Sequence, residues 1–188
     1  GRAQLYASNS LTLTGRVGSL AAGAASSLVN MVSSTGDSRL TAGGDITHDG
    51  TSVAGTLTTE TAQRTRLSGH FGALDVVQSG ELVFGSATVD GVASVNAGGP
   101  VSQTGTSVLD FADITRFSAS AITLTNTGND FHSLLTVTST GLTELYDANS
   151  LSVTGSAGSL AATAGTTLVS SVATTVGDSY LKAGTAIT

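Results

Sequence analysis

The chain has no cysteine and no tryptophan, and only one proline and one methionine in 188 residues. Without cysteine it can have no disulfide framework, thiolate nucleophile or zinc-finger spacing. Charge is scarce too. Asp, Glu, Lys and Arg make up 11% of residues, well under the roughly 25% of an ordinary globular domain. Seven basic residues stand against thirteen acidic ones, for a formal net charge of −6. Such a chain has no basic stripe to neutralise phosphates, so nucleic acid and anionic lipid surfaces are poor partners. No apolar run approaches the roughly 18 residues of a membrane span, and no charged start followed by an apolar stretch reads as a signal peptide. Membrane insertion is therefore not expected.

What is present is uncharged polarity, with 24 glycines, many Ser and Thr, and a hydrophobic fraction of 39% that is ample for a core. The end of the chain also repeats its start. Residues 5–47 match 145–188, with Leu5 on Leu145, Tyr6 on Tyr146, Asn9 on Asn149 and Leu11 on Leu151. GDSRLTAGGDIT (36–47) matches GDSYLKAGTAIT (177–188) after one extra residue near Val176. The offset is about 140 residues. The opening GRAQLYA already belongs to this pattern and lacks an initiator methionine, so the chain is expected to be cut from a longer one.

The differences between the copies carry the structural signal. Arg39 becomes Tyr180 and Thr41 becomes Lys182, while Leu40/Leu181 and Ala42/Ala183 stay. Variation at every second residue is the period of a strand with one face on a core. LTLTG (11–15) and LSVTG (151–155) alternate in the same way. LAAGAASSLVNMV (20–32) could pass for a helix, but its second copy LAATAGTTLVSSV (160–172) carries Thr and Gly, which favour strand or turn.

A shorter period of strand, corner and strand recurs at Leu5–Ala7–Leu11, Leu40–Ala42–Ile46, Val95–Ala97–Val101, Leu145–Asp147–Leu151 and Leu181–Ala183–Ile187. Gly43-Gly44, Gly98-Gly99-Pro100 and Gly184 are expected to supply unusual backbone angles at the corners, and Asn9 and Asn149 a left-handed residue. The expected fold is all-β: a single β-solenoid over 1–188, with coils of roughly 20–25 residues and six or seven coils per long repeat. The small aromatic fraction, 4%, suggests a narrow core of stacked aliphatics. A string of antiparallel sandwich modules is the alternative, disfavoured by the missing Trp, the scarce Pro and the repeat length.

GGDITHDGTSVAG (43–55), PVSQTGTSVLDF (100–111) and SASAITLTNTGNDFHSLLTVTSTG (118–141) resemble the haemagglutinin-type repeats of large bacterial exoproteins. That family includes filamentous haemagglutinins, other two-partner-secretion adhesins and autotransporter passengers. The resemblance implies a right-handed parallel β-helix, export across an outer membrane, and a role as a surface-exposed rod or adhesin. The family's amino-terminal secretion domain and a terminal membrane barrel are both absent from these residues.

Three clusters bear on an enzymatic alternative, since parallel β-helices also host polysaccharide lyases and hydrolases: Asp45–His48–Asp49, Asp110–Asp113–Arg116 and Asn129–Asp130–His132. Such chemistry needs converging carboxylates. The first cluster reads as a solvated corner, because Asp45 aligns with Ala186. Asp110 and Asp113 flank Phe111 at a spacing that need not share a face. GNDF (128–131) lacks the serial Gly-Gly-x-Gly-x-Asp spacing of calcium-lined coils and reads as a turn. Asn126 or Asn129 is expected to stack on an Asn of the next coil. Tyr6, Tyr146 and Tyr180 are weak candidates for sugar stacking. No catalytic, cofactor-binding or metal-ligating residue is assigned, and no cofactor is expected. The expected function is a non-enzymatic structural or adhesive rod, extracellular or on a bacterial surface. Its expected partners are a copy stacked end to end or a longer parent chain, and a host, cell-surface or glycan receptor.

Overall fold

The computed structural model describes residues 1–61 and 63–188. Its strands are all joined in one 21-stranded sheet, and all the pairings between coils are parallel. No helix occurs among the described residues. The chain is a β-solenoid of about ten turns.

Two ladders of inward residues run its whole length. One passes through Ala3, Leu20, Ser38, Leu57, Leu74, Ala93, Thr115, Leu135, Val153 and Ser170. The other passes through Leu11, Leu28, Ile46, Thr65, Leu82, Val101, Ile122, Thr143, Leu160 and Ser179. The alternation seen in the sequence decides which residues face inward. Leu151 and Val153 are buried while Ser152 and Thr154 are half-buried, and Leu40 is fully buried beside exposed Arg39. The segment 20–32 is strand, as the second copy suggested, in Ser19–Ala24 and Leu28–Ser34.

Coils are shorter than the sequence suggested at most steps. Leu11 stands over Leu28, 17 residues on, and the longest step is the 22 residues from Ala93 to Thr115. The long repeat is accordingly longer in coils than expected. Leu20 is the second rung of the first ladder, whereas its copy Leu160 is the ninth rung of the second. The two copies are thus seven and a half coils apart and occupy opposite ladders.

The central coils gain a third side. A ladder through Ser34, Val53, Phe71, Val89, Phe111 and Phe131 widens the cross-section there. This extra width explains a departure from the expected narrow aliphatic core. All five phenylalanines are buried in these wider coils. Phe84 on the second ladder strand, Phe117 on the first and Phe111 on the third meet in the middle, with ring centroids 5.8–6.1 Å apart. Phe131 adds an edge-on contact to Phe111 at 5.8 Å. The narrower terminal coils fill with Leu, Val and Ala instead.

The corners also differ from expectation. Among the described residues positive φ is confined to Gly15, Gly50, Gly69 and Gly155, and no Asn adopts it. Gly43, Gly98 and Gly184 serve a steric purpose instead. A Cβ on Gly43 would lie 2.3 Å from the carbonyl oxygen of Ala25 in the preceding coil, and one on Gly98 2.4 Å from that of Ser79. Corner glycines therefore let successive coils approach at the roughly 4.8 Å spacing of a sheet.

Candidate functional site

A solenoid must satisfy every backbone group at each step, and a coil that changes shape leaves some without a partner. Three of the buried polar side chains lie where this happens.

His48 is the first case. It was expected in a solvated corner with Asp45 and Asp49, but it is 1% exposed, because its strand position stacks on Asn30 below and Leu67 above. The Asn30 amide donates to His48 Nδ1 at 2.7 Å, so the proton of the neutral ring sits on Nε2, which donates to Thr51 Oγ1 at 3.1 Å. The Thr51 hydroxyl donates to the Val32 carbonyl at 3.3 Å, and the Val32 amide donates to Asn30 Oδ1 at 3.3 Å. The four bonds form a closed circuit between two coils, where the register shifts around Asp49 and Gly50. Burial lowers the His48 pKa to about 4, against the opposing pull of the Thr51 backbone and the Asp49 charge. Asp45 and Asp49 remain outside, accepting from the Arg64 amide and the Ser68 hydroxyl.

The second case is Asn129, which was expected to stack on another Asn. Its partner is Gln103 of the preceding coil. Asn129 Nδ2 donates to Gln103 Oε1 at 2.7 Å, and Gln103 Nε2 donates to Asn129 Oδ1 at 3.0 Å. The same Oδ1 accepts the Leu109 amide at 3.0 Å, and Gln103 also reaches the Ser107 carbonyl. Asn126 caps its own turn, its Oδ1 accepting from the Gly128 amide at 2.8 Å.

The third case is Asp147, fully buried one coil beyond Phe131. The third side ends at Phe131, and Asp147 Oδ2 accepts the Phe131 amide at 2.8 Å in place of a strand carbonyl. Its Oδ1 accepts the Asn149 amide at 2.7 Å. Burial raises its pKa above the usual carboxylate value, while both N–H donors pull it down. The repeat-equivalent residue is Ala7, which has no third side to close.

Outside this corner lies the one place where the acidic clusters converge. His132 Nε2 is 3.0 Å from Asp110 Oδ1 and 3.6 Å from Asp130 Oδ2, and Asn149 donates to Asp130 Oδ2 at 2.6 Å. Asp110 and Asp130 are direct neighbours on adjacent coils. Asp113 does not join them, since its carboxylate accepts the Ile114 amide at 2.6 Å, and Arg116 is exposed on another side. A second His–Asp contact, His70 to Asp90 at 2.8 Å, lies on the same side in earlier coils. Among the described residues no group of three or more His, Cys, Asp or Glu side chains is placed to hold a metal ion.

Coil-to-coil register makes these contacts, so spacing along the chain gave little sign of them. Asp110 and His132 are 22 residues apart, and Gln103 and Asn129 are 26 apart. Tyr6 is exposed in the first coil, Tyr180 in the last, and Tyr146 is half-buried; no two of them share a ladder row.

Residues 72–138 match a family described as repeats of unknown function (DUF5649). No curated protein and no solved structure matches the chain.

Proposed function

We propose that this chain is a non-enzymatic, structural and adhesive rod segment of a surface or secreted bacterial fibre protein. The observation that carries the reading is the pair of unbroken ten-rung ladders, which fix every coil to the next by parallel hydrogen bonds and aliphatic stacking. Ten coils at about 4.8 Å give a rod of roughly 48 Å. Three of its buried polar groups, His48, Asn129 and Asp147, serve coil junctions, which suits a load-bearing role. Its exterior of Ser, Thr and few charges is suited to exposure in water and to contact with a neutral receptor such as a glycan. Export and surface display rest on the likeness to haemagglutinin-type repeats.

An antibody against the chain, applied to intact source cells, should label surface fibres or secreted filaments. Labelling only after lysis would overturn the reading. Turnover of acidic or neutral glycans that is lost in Asp110→Asn or Asp130→Asn would replace it with a polysaccharide-cleaving one.

A further inference from the structure

The chain holds two Asp-Gly steps, Asp49–Gly50 and Asp90–Gly91, in very different settings. Gly91 is locked into the solenoid: its amide donates to the Gly72 carbonyl at 2.7 Å, and the Asp90 amide donates to Phe71 at 3.0 Å. The Asp90 carboxylate is occupied by His70.

Asp49 and Gly50 fall in the gap between the paired residues His48 and Thr51, where the register shifts on both neighbouring coils. Both are exposed. Gly50 has φ +64, and a Cβ there would meet nothing within 4 Å, so no neighbouring coil crowds this step of the backbone. The amide donates to a side chain, Ser68 Oγ at 3.0 Å, and the same hydroxyl donates to Asp49 Oδ1 at 2.7 Å. One serine thus holds the carboxyl and the following amide nitrogen on a single atom.

We propose that Asp49–Gly50 is a site of spontaneous isomerisation in the folded protein. The Gly50 nitrogen attacks Asp49 Cγ, forming an N–Cγ bond. The Cγ–OH bond of the carboxylic acid breaks, and its hydroxyl leaves as water with the amide proton. Water then reopens the resulting five-membered succinimide at the former main-chain carbonyl, so the chain now runs through the side-chain carboxyl. The net change is an isoaspartate at position 49, with one methylene added to the main chain between His48 and Thr51. Those two residues belong to the closed hydrogen-bond circuit, so the modification loosens the junction of the second and third coils.

The full chain, aged at neutral pH and physiological temperature, is digested and read by electron-transfer fragmentation, which separates isoaspartate from aspartate. Isoaspartate at Asp49 should exceed that at Asp90 several-fold, with a water-loss species at Asp49 preceding it. The same ageing in denaturant should bring the two sites to similar rates. Asp49→Glu keeps the charge and Gly50 but demands a six-membered ring, and should abolish the water-loss species while leaving Asp90 unchanged. Equal accumulation at the two sites in the folded chain, or an excess at Asp49 that persists undiminished in denaturant, would overturn the proposal.

Discussion

Asn129 and Gln103, 26 residues apart, exchange both of their amide hydrogen bonds across one coil step, at 2.7 and 3.0 Å. Asn129→Ala leaves the buried Leu109 N–H without its acceptor and takes one partner from each end of the Gln103 amide, which keeps the Ser107 carbonyl and the Asn126 N–H. The expected loss is about 2–4 kcal/mol, read from chemical denaturation. Gln103→Ala should be less severe, because the Leu109 N–H keeps its acceptor. A double mutant losing as much as the two single losses added together would show that the pair is not coupled.

His48 predicts an acid-sensitive junction. Its folded pKa is lowered from 6.5 to about 4, so between those values the unfolded chain binds the proton more readily. Stability is therefore full above about pH 6.5 and declines as pH falls towards 4, by on the order of 3 kcal/mol at most. His48→Leu should flatten this part of the pH–stability curve, at a fixed loss from the unpaired Asn30 amide. An unchanged slope in that variant would place the acid sensitivity elsewhere.

Asp147 works in the opposite sense. Its folded pKa is raised by burial, so the folded state holds the proton more tightly and gains stability as pH falls through that raised value. Asp147→Asn keeps an oxygen for the Phe131 amide but turns its NH2 toward the Asn149 N–H, so it should remove this pH dependence at a partial loss of stability in neutral solution. Asp147→Ala leaves that amide without its acceptor and should lose about 1–3 kcal/mol. Thermal unfolding of the two variants across acid pH separates the effects.

Phe111 touches Phe84, Phe117 and Phe131, and is fully buried. Phe111→Ala should lose about 3–5 kcal/mol, and Phe111→Leu markedly less. Urea midpoints measure both.

Gly15 and Gly155 are repeat equivalents with nearly the same backbone, φ +125 and +119. A Cβ at Gly155 would lie 1.9 Å from the Val137 carbonyl oxygen, while at Gly15 it meets nothing within 4 Å. Gly155→Ala should therefore lower the melting temperature clearly more than Gly15→Ala, which bears backbone strain alone. Equal losses would argue that strain dominates.

The period-two alternation made the fold legible, because a one-sided strand shows its inner residues at any register; Leu40/Leu181 and Ala42/Ala183 were readable for that reason. The third side was not, since Phe71, Phe111 and Phe131 are spread over sixty residues and align only after winding. His48 is buried although the match of Asp45 to Ala186 suggested a solvated corner. Its true companions, Asn30 and Thr51, lie one coil below and beyond a bulge. Corner glycines were recognised as necessary, though the reason is the carbonyl of the coil beneath.

A pattern that returns after seven and a half windings acts as a screw with a half-turn in it. Like leaves on a stem, whatever the long repeat displays emerges on one flank and then, roughly 36 Å further along, on the other. Tyr6 and Tyr146 are already placed in this way. A solenoid decorated so shows the same side chains on both flanks from a single repeated pattern.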